Sequence, residues 1–140
     1  MMREITSHIV EGDVPQNQLK IEVLDQPGPG GAYHVYNISL SPDALARNEA
    51  AMAIDEAVVE AHPGQSIIFQ CGGIAEKGLN GVTNEALLAI VRDRLECFQA
   101  GPFPSQENAT ALAGINNALR ALQQRTLKRI ARGVEGKTVA

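Results

Sequence analysis

The stretch TNEALLAIVRDRLECFQAGPFPSQENATALAGINNALRALQQRTLKRIARGVEG, residues 83–136, decides how the chain is organised. Leu87, Val91, Leu95 and Phe98 recur at spacings of four, four and three, the mark of one helical face. Arg92, Glu96 and Gln99 then fall on the opposite face. Thr83 is an N-cap, and Glu85 in the first turn complements the helix dipole. Gly101 stops this helix and Pro102 forbids its continuation. Ser105 caps a second helix, which has Glu107 in its first turn and Leu112, Ile115, Leu119 and Leu122 at three-four-three spacing. Gly133 ends it. At about 1.5 Å per residue the second helix is ~40 Å long. So long a helix in a chain of 140 residues points to a surface shared with another copy.

The rest of the chain reads as strands. Residues 3–10 favour one through Ile5, Thr6, Ile9 and Val10. Gly12 to Gln18 form a loop. Leu19, Ile21 and Val23 alternate with Lys20, Glu22 and Leu24, a half-buried strand. Pro27-Gly28-Pro29-Gly30-Gly31 form a turn. Residues 33–40 alternate again, through Tyr33, Val35, Asn37 and Ser39. Ser41-Pro42-Asp43 open a helical insertion near 42–61, and His62-Pro63-Gly64 close it. Residues 66–71 form a compact apolar strand, and Gly72 to Gly81 a glycine-punctuated loop. This order predicts an α+β fold in a single domain, residues 1–140. Residues 3–82 are mainly sheet, 83–133 a helical hairpin packed on that antiparallel sheet, and 134–140 a tail that is loose after Gly136.

Composition narrows the function. The net charge of −4 argues against general binding of DNA. Arg120, Arg125, Lys128, Arg129 and Arg132 nevertheless cluster near one helix end. Cys71 and Cys97 have no framework spacing and lie beside apolar runs, so buried free thiols in a reducing cytosol are expected. No run approaches the ~20 apolar residues of a membrane span, and residues 1–10 lack a basic-then-apolar signal. A soluble intracellular protein is expected. His8, His34, His62 and the cysteines share no metal-ligand spacing, so no metal or cofactor is expected. Asp93 and Glu96 could act as paired carboxylates, but beside Arg92 an ion-paired surface is the simpler reading. The loop Cys71-Gly72-Gly73-Ile74-Ala75-Glu76-Lys77-Gly78 has the strand-to-helix setting of a phosphate loop without its Gly-Lys-Ser/Thr ending, so its glycines are read as conformational.

A better constellation lies around the corner of the hairpin. Phe98 ends one apolar stripe there; it is either a core residue or a stacking platform for a base. Asn108 sits on the stripe of the second helix, four before Leu112, where an amide must find partners. It either caps the helix start or reads a ligand's polar edge. Arg125 lies seventeen residues further on, about 25 Å away. That is longer than a small nucleotide ligand. If the long helix packs antiparallel against its copy, the second copy's arginine returns to Asn108, and a two-fold dimer forms two identical pockets.

Leu79 to Val91, Phe98-Gln99-Ala100-Gly101-Pro102-Phe103, Glu107-Asn108-Ala109, Gln124-Arg125-Thr126 and Arg132 to Gly136 carry a family signal. Together with Pro27 to Ala32 and Ile68-Phe69-Gln70, their order and spacing resemble the phage anti-Thoeris sequestering proteins of the first type. The resemblance covers roughly residues 20–38 and 66–137. It implies a non-enzymatic binder in the host-cell cytoplasm that holds cyclic ADP-ribose isomers of the 1''-3' glycocyclic type without cleaving them. It implies homodimers, or homohexamers built as trimers of dimers, with ligand sites between protomers. Phe98, Asn108 and Arg125 fall where that family binds its ligand, and Phe103, Glu107, Arg129 and Arg132 extend the expectation. Gly30, Gly31, Ala32 and His34 are the expected second site, for cyclic di- or trinucleotides, which would add inhibition of CBASS. Gln106 stands where members often carry Arg. The rival expectations are a nucleotide-processing enzyme and a phage helical dimerisation module with no small-molecule ligand.

Overall fold

The computed structural model describes residues 3–12, 17, 19–28, 31–40 and 64–137. It divides into two compact units, Met1–Ile68 and Phe69–Ala140. The helical insertion expected near 42–61 and its His62-Pro63 stop lie outside the described residues.

The first unit contains a four-stranded antiparallel sheet in sequence order. Its strands are β1 (Arg3–Ile5), β2 (Leu19–Val23), β3 (Val35–Leu40) and β4 (Gly64–Ile68). Alternation explains the register. Ile21 stands opposite Ile5 and Ile38, and Val23 opposite Tyr36, which pairs in turn with Ile67. These residues share one face because successive side chains along a strand point to opposite sides. Val23 at its centre is fully buried. The other face carries Lys20 and Glu22, 3.6 Å apart, with Asn37 and Ser66.

Strand ends depart from the alternation pattern. β1 stops at Ile5 rather than running to Val10. The chain turns at Thr6, whose carbonyl accepts from Ile9 at 3.0 Å. His8 Nε2 then meets the Leu19 carbonyl at 2.8 Å, and the Asn17 amide pairs with both the N–H and the C=O of Val10. Ile9 and Val10 are left exposed. β4 begins and ends earlier than expected. Beyond it Phe69 makes a parallel bridge to Val82, and Cys71 is held by a side chain instead of a strand.

Asp25 fixes the β2–β3 turn. Its carboxylate accepts from the His34 N–H at 2.9 Å and from the Val35 N–H at 3.0 Å. The loop closes on itself through Gly28 N–H to Ala32 C=O at 2.8 Å.

The second unit is helical: α1 (Ile74–Lys77), α2 (Asn84–Ala100) and α3 (Gln106–Ala131), with α2 and α3 packed as a hairpin. α1 sits inside what reads as a simple loop. The expected caps form. Thr83 Oγ1 accepts from the Ala86 N–H at 3.2 Å, and Ser105 Oγ accepts from the Asn108 N–H at 3.0 Å. α3 ends in a Schellman arrangement: Gly133 N–H bonds to the Ile130 carbonyl, and Val134 N–H to Arg129 C=O. Gly133 takes φ 72° there, a conformation open to glycine at little steric cost.

The inward face of α2 is rotated from the expected one. Leu88, Leu95 and Gln99 are half-buried, whereas Val91 and Phe98 are exposed. The doubled apolar pairs Leu87-Leu88 and Ile90-Val91 offer two overlapping stripes, and packing on α3 selects between them. Cys97, between Leu95 and Gln99, therefore faces out. Both Cys71 and Cys97 are exposed free thiols, not buried ones. Residues 134–137, the start of the tail, are folded onto the unit. The Gly136 carbonyl accepts from Ala75 N–H at 2.8 Å, and Gly73 lies so close to Gly136 that any Cβ on it would collide with that carbonyl.

The turn at Asp25 yields a pH dependence. Burial alone would raise its carboxyl, but the Val35 and His34 amides, with the nearby His34 ring, outweigh that and hold the pKa below its ordinary 3.8. A depressed carboxylate contributes stability above its unfolded pKa, and the contribution disappears as pH falls through the folded value. The protection of the His34 and Val35 amides, taken relative to their intrinsic exchange rates, should fall on acidification below about pH 4. Asp25→Asn should show fast exchange at neutral pH and lose that acid dependence.

Candidate functional site

The hairpin corner, residues 101–105, is closed by a side chain. Gln99 Nε2 donates to the Ser105 carbonyl at 3.0 Å, and Ser105 N–H donates to Gln99 Oε1 at 2.9 Å. The amide thus pairs with Ser105 as one strand residue pairs with another. Ser105 in turn caps Asn108. This short chain of bonds brings the end of α2 and the start of α3 to one place, with Phe98 and Asn108 on either side.

Phe98 is 43% exposed. The Arg94 guanidinium stands over its ring, 5.8 Å from the centroid, within range of a cation–π contact. The core reading of Phe98 therefore does not hold for the isolated chain, in which the ring is a solvent-facing platform. Phe103 at the corner is still more exposed. Glu107 is exposed in the first turn of α3, and Asn108 is half-buried.

Asn108 opens a stripe that runs the length of α3. Half-buried or buried positions recur at 108, 112, 115, 119, 122, 126 and 129. Leu119 is the buried apolar centre, and the last position is Arg129, 8% exposed. A cation so placed requires acceptors. Arg129 Nε donates to Glu135 Oε2 at 3.2 Å, and its Nη2 to the carbonyls of Val134 at 3.0 Å and Lys137 at 2.8 Å. Charge alone groups this residue with the exposed arginines around it, but its guanidinium holds the C-terminal turn. The signal that distinguishes it in the sequence is its place on the stripe, seven residues after Leu122.

Arg125 is exposed one turn earlier. With Ala121, Gln124, Lys128, Arg129 and Arg132 it lines an open concavity of about 570 Å³. With the Arg129 guanidinium turned to the C-terminal residues, the cations of Arg125, Lys128 and Arg132 remain on this surface and favour an anion, and guanidinium matches phosphate oxygens two bonds at a time. Within one chain the structure therefore carries two polar surfaces at opposite ends of α3, an aromatic–amide corner and a cationic concavity.

The glycine loop is organised for its own sake. Gln70 Nε2 donates to the carbonyls of Gly72 and Gly78, and Asn80 Oδ1 accepts from the Cys71 N–H. Arg92 and Glu96 form an exposed ion pair at 2.9 Å. In the first unit, Gly31 and Ala32 are exposed and His34 is buried. The His34 ring lies against Gly28, with Nδ1 3.6 Å from the Asp25 carboxylate. Gly30 lies outside the described residues. Among the described residues no group of three or more His, Cys, Asp or Glu could hold a metal, and no helix is long and apolar enough to cross a membrane.

Residues 63–127 match the model of the Acb2/Tad1 hairpin domain. This part of the chain is similar to that hairpin domain. The match agrees with the resemblance of the sequence to the phage anti-Thoeris sequestering proteins. The protein "Thoeris anti-defense 1" of Bacillus phage SBSphiJ7 is 46% identical over 71 residues, which are 51% of this chain and 50% of that protein. The chain thus spans about half the length of the curated relative it matches. The Acb2/Tad1 hairpin match contains Phe98, Phe103, Glu107, Asn108 and Arg125, and stops short of Arg129 and Arg132.

The two arginines should separate cleanly in stability. Arg129→Ala removes a buried cation and leaves three acceptors unmatched, so it should destabilise the hairpin unit by about 2–3 kcal/mol. Arg125→Ala, exposed, should change stability by less than about 0.5 kcal/mol. Urea unfolding of the two variants measures both.

Proposed function

We propose that this protein binds cyclic ADP-ribose signals of the 1''-3' glycocyclic type and sequesters them uncleaved. It would thereby inhibit Thoeris defence in the host cytoplasm. The observation that carries this reading is the division of α3. It presents an aromatic–amide corner at its start and a cationic concavity at its end, in a chain that matches the Acb2/Tad1 hairpin domain over residues 63–127 and resembles a protein named for Thoeris anti-defence. Phe98 offers a flat face for the adenine, with Asn108 at its polar edge. Arg125, with Arg132 at the rim, suits the pyrophosphate. Phe103 and Glu107 flank the corner, and Arg129 fixes the surface beside the concavity.

The half-sites are too far apart to serve one ligand in one chain. Asn108 and Arg125 are separated by about 25 Å along α3. Antiparallel packing of two copies of α3 brings the corner of one chain to the concavity of the other. The proposed unit is therefore a homodimer with two composite pockets, assembled further into a homohexamer as a trimer of dimers. Gly30, Gly31, Ala32 and His34 are proposed for a second ligand, a cyclic di- or trinucleotide, which would extend inhibition to CBASS. Exposure of Gly31 and Ala32 supports a surface there, whereas buried His34 would act by shaping the turn.

Sequestration makes a chemical prediction. After incubation of the protein with 1''-3' glycocyclic ADP-ribose and heat denaturation, chromatography should recover the intact ligand. Recovery of a cleaved product would make the protein a processing enzyme, and calorimetry showing no binding would leave a helical dimerisation module.

Mixed dimers test the composite pocket. Asn108→Ala and Arg125→Ala should each abolish tight binding while the oligomer persists. If the residues act across the interface, a dimer of one variant with the other holds one pocket with both lesions and one with neither. Titration should then recover tight binding at half the wild-type stoichiometry. No recovery on mixing would show that the antiparallel pairing is wrong.

A further inference from the structure

We infer that Gln99 is the positioning residue of the ligand pocket, setting the distance between the Phe98 ring and the Asn108 amide. The inference rests on the composite-pocket reading and deepens it. Gln99 follows Phe98 directly, yet points inward while Phe98 points out. Its amide makes two bonds to the backbone of Ser105, one given and one received. Ser105 passes the constraint on by accepting from the Asn108 N–H at 3.0 Å. The path from Phe98 to Asn108 thus runs through the paired bonds between Gln99 and Ser105 and then the bond between Ser105 and Asn108, and bypasses residues 101–104.

That corner has little else to hold it. Pro102 and Pro104 carry no N–H, and Phe103 is 73% exposed. Gly101 N–H closes only the last turn of α2, through the Phe98 carbonyl at 3.3 Å. Without the Gln99 amide, Ser105 would lose its anchor on α2, and the platform and the amide would drift independently. A pocket whose two contacts are held before binding loses less freedom when the ligand arrives. An unanchored corner would bind the same ligand more weakly and release it faster.

Chemistry supplies a test that a merely structural role would not pass. Gln99→Glu keeps an acceptor for the Ser105 N–H but, ionised, cannot donate to the Ser105 carbonyl. Protonated, the carboxylic acid can do both. Titrations with 1''-3' glycocyclic ADP-ribose should therefore show Gln99→Glu about tenfold weaker than wild type at pH 7. Its affinity should recover as pH falls toward about 4.5, near the ordinary glutamate value, over a range in which wild type changes little by comparison. Gln99→Ala should be weaker at every pH, with faster dissociation and faster amide exchange at Ser105, while dichroism reports unchanged helix. A Gln99→Ala chain that is folded and binds as wild type does, or a Gln99→Glu chain with no recovery on acidification, overturns the inference. If wild type itself fails to bind, the ligand reading falls and this inference with it. If wild type binds and the Gln99 variants match it, this inference alone falls.

Discussion

Arg129 places a guanidinium at a position where α3 turns inward, and much of the second unit is arranged to meet that charge. A buried cation without acceptors would cost several kcal/mol, so the chain beyond α3 folds back and supplies Glu135, the Val134 carbonyl and the Lys137 carbonyl. The reversal is possible because Gly133 accepts a positive φ. Once residues 134–137 are turned back, the Gly136 carbonyl reaches Ala75, and α1 gains its place beside the end of α3. Arg132, the C-cap of α3, directly precedes this fold-back and lines the concavity.

The other end of α3 follows similar logic with neutral groups. Its stripe opens on Asn108 rather than on a leucine. The backbone N–H there is satisfied by Ser105, and Ser105 by Gln99. The stripe therefore has polar residues towards both extremities, Asn108 at one and Thr126 and Arg129 at the other, and apolar ones from Leu112 to Leu122, with Leu119 at the middle. A helix so built leaves its ends to recognise something polar and gives its middle to packing. The proposed dimer uses this division twice, because an antiparallel pair sets each unlike end beside the other.

Local signals are the ones legible in the sequence. Thr83 and Ser105 as caps, the Gly101-Pro102 break and Gly133 as terminator each depend on a few neighbouring residues, and all stand in the structure as the sequence implies. β2 and β3 are legible from alternation alone. The ends of β1 and β4 are not, since they depend on where His8, Asn17 and Asn80 find partners. Periodicity cannot choose the inward face of α2, because two apolar stripes overlap there, and it places Gln99 in solvent where the structure turns it inward. For the candidate site, the closeness of Phe98 and Asn108 follows from the corner, and the remoteness of Arg125 from the rise per residue. Charge groups Arg129 with its exposed neighbours, although its position on the stripe marks it as different. The cysteines show the same limit: hydrophobic company in sequence does not bury Cys97 once α2 is rotated.

The seam between Ala75 and Gly136 joins the opening of the second unit to its close. About 60 residues separate the two partners, whereas the hairpin contacts are far more local. Closing so long a loop costs more chain entropy than forming the hairpin, and non-local contacts form late in folding. The unit is thus a helical hairpin with a clasp that fastens last and, by the same argument, loosens first. Exchange of the Ala75 amide would register each opening of the clasp, and with it the moments at which residues 134–137 leave their place while the corner around Gln99 stays shut.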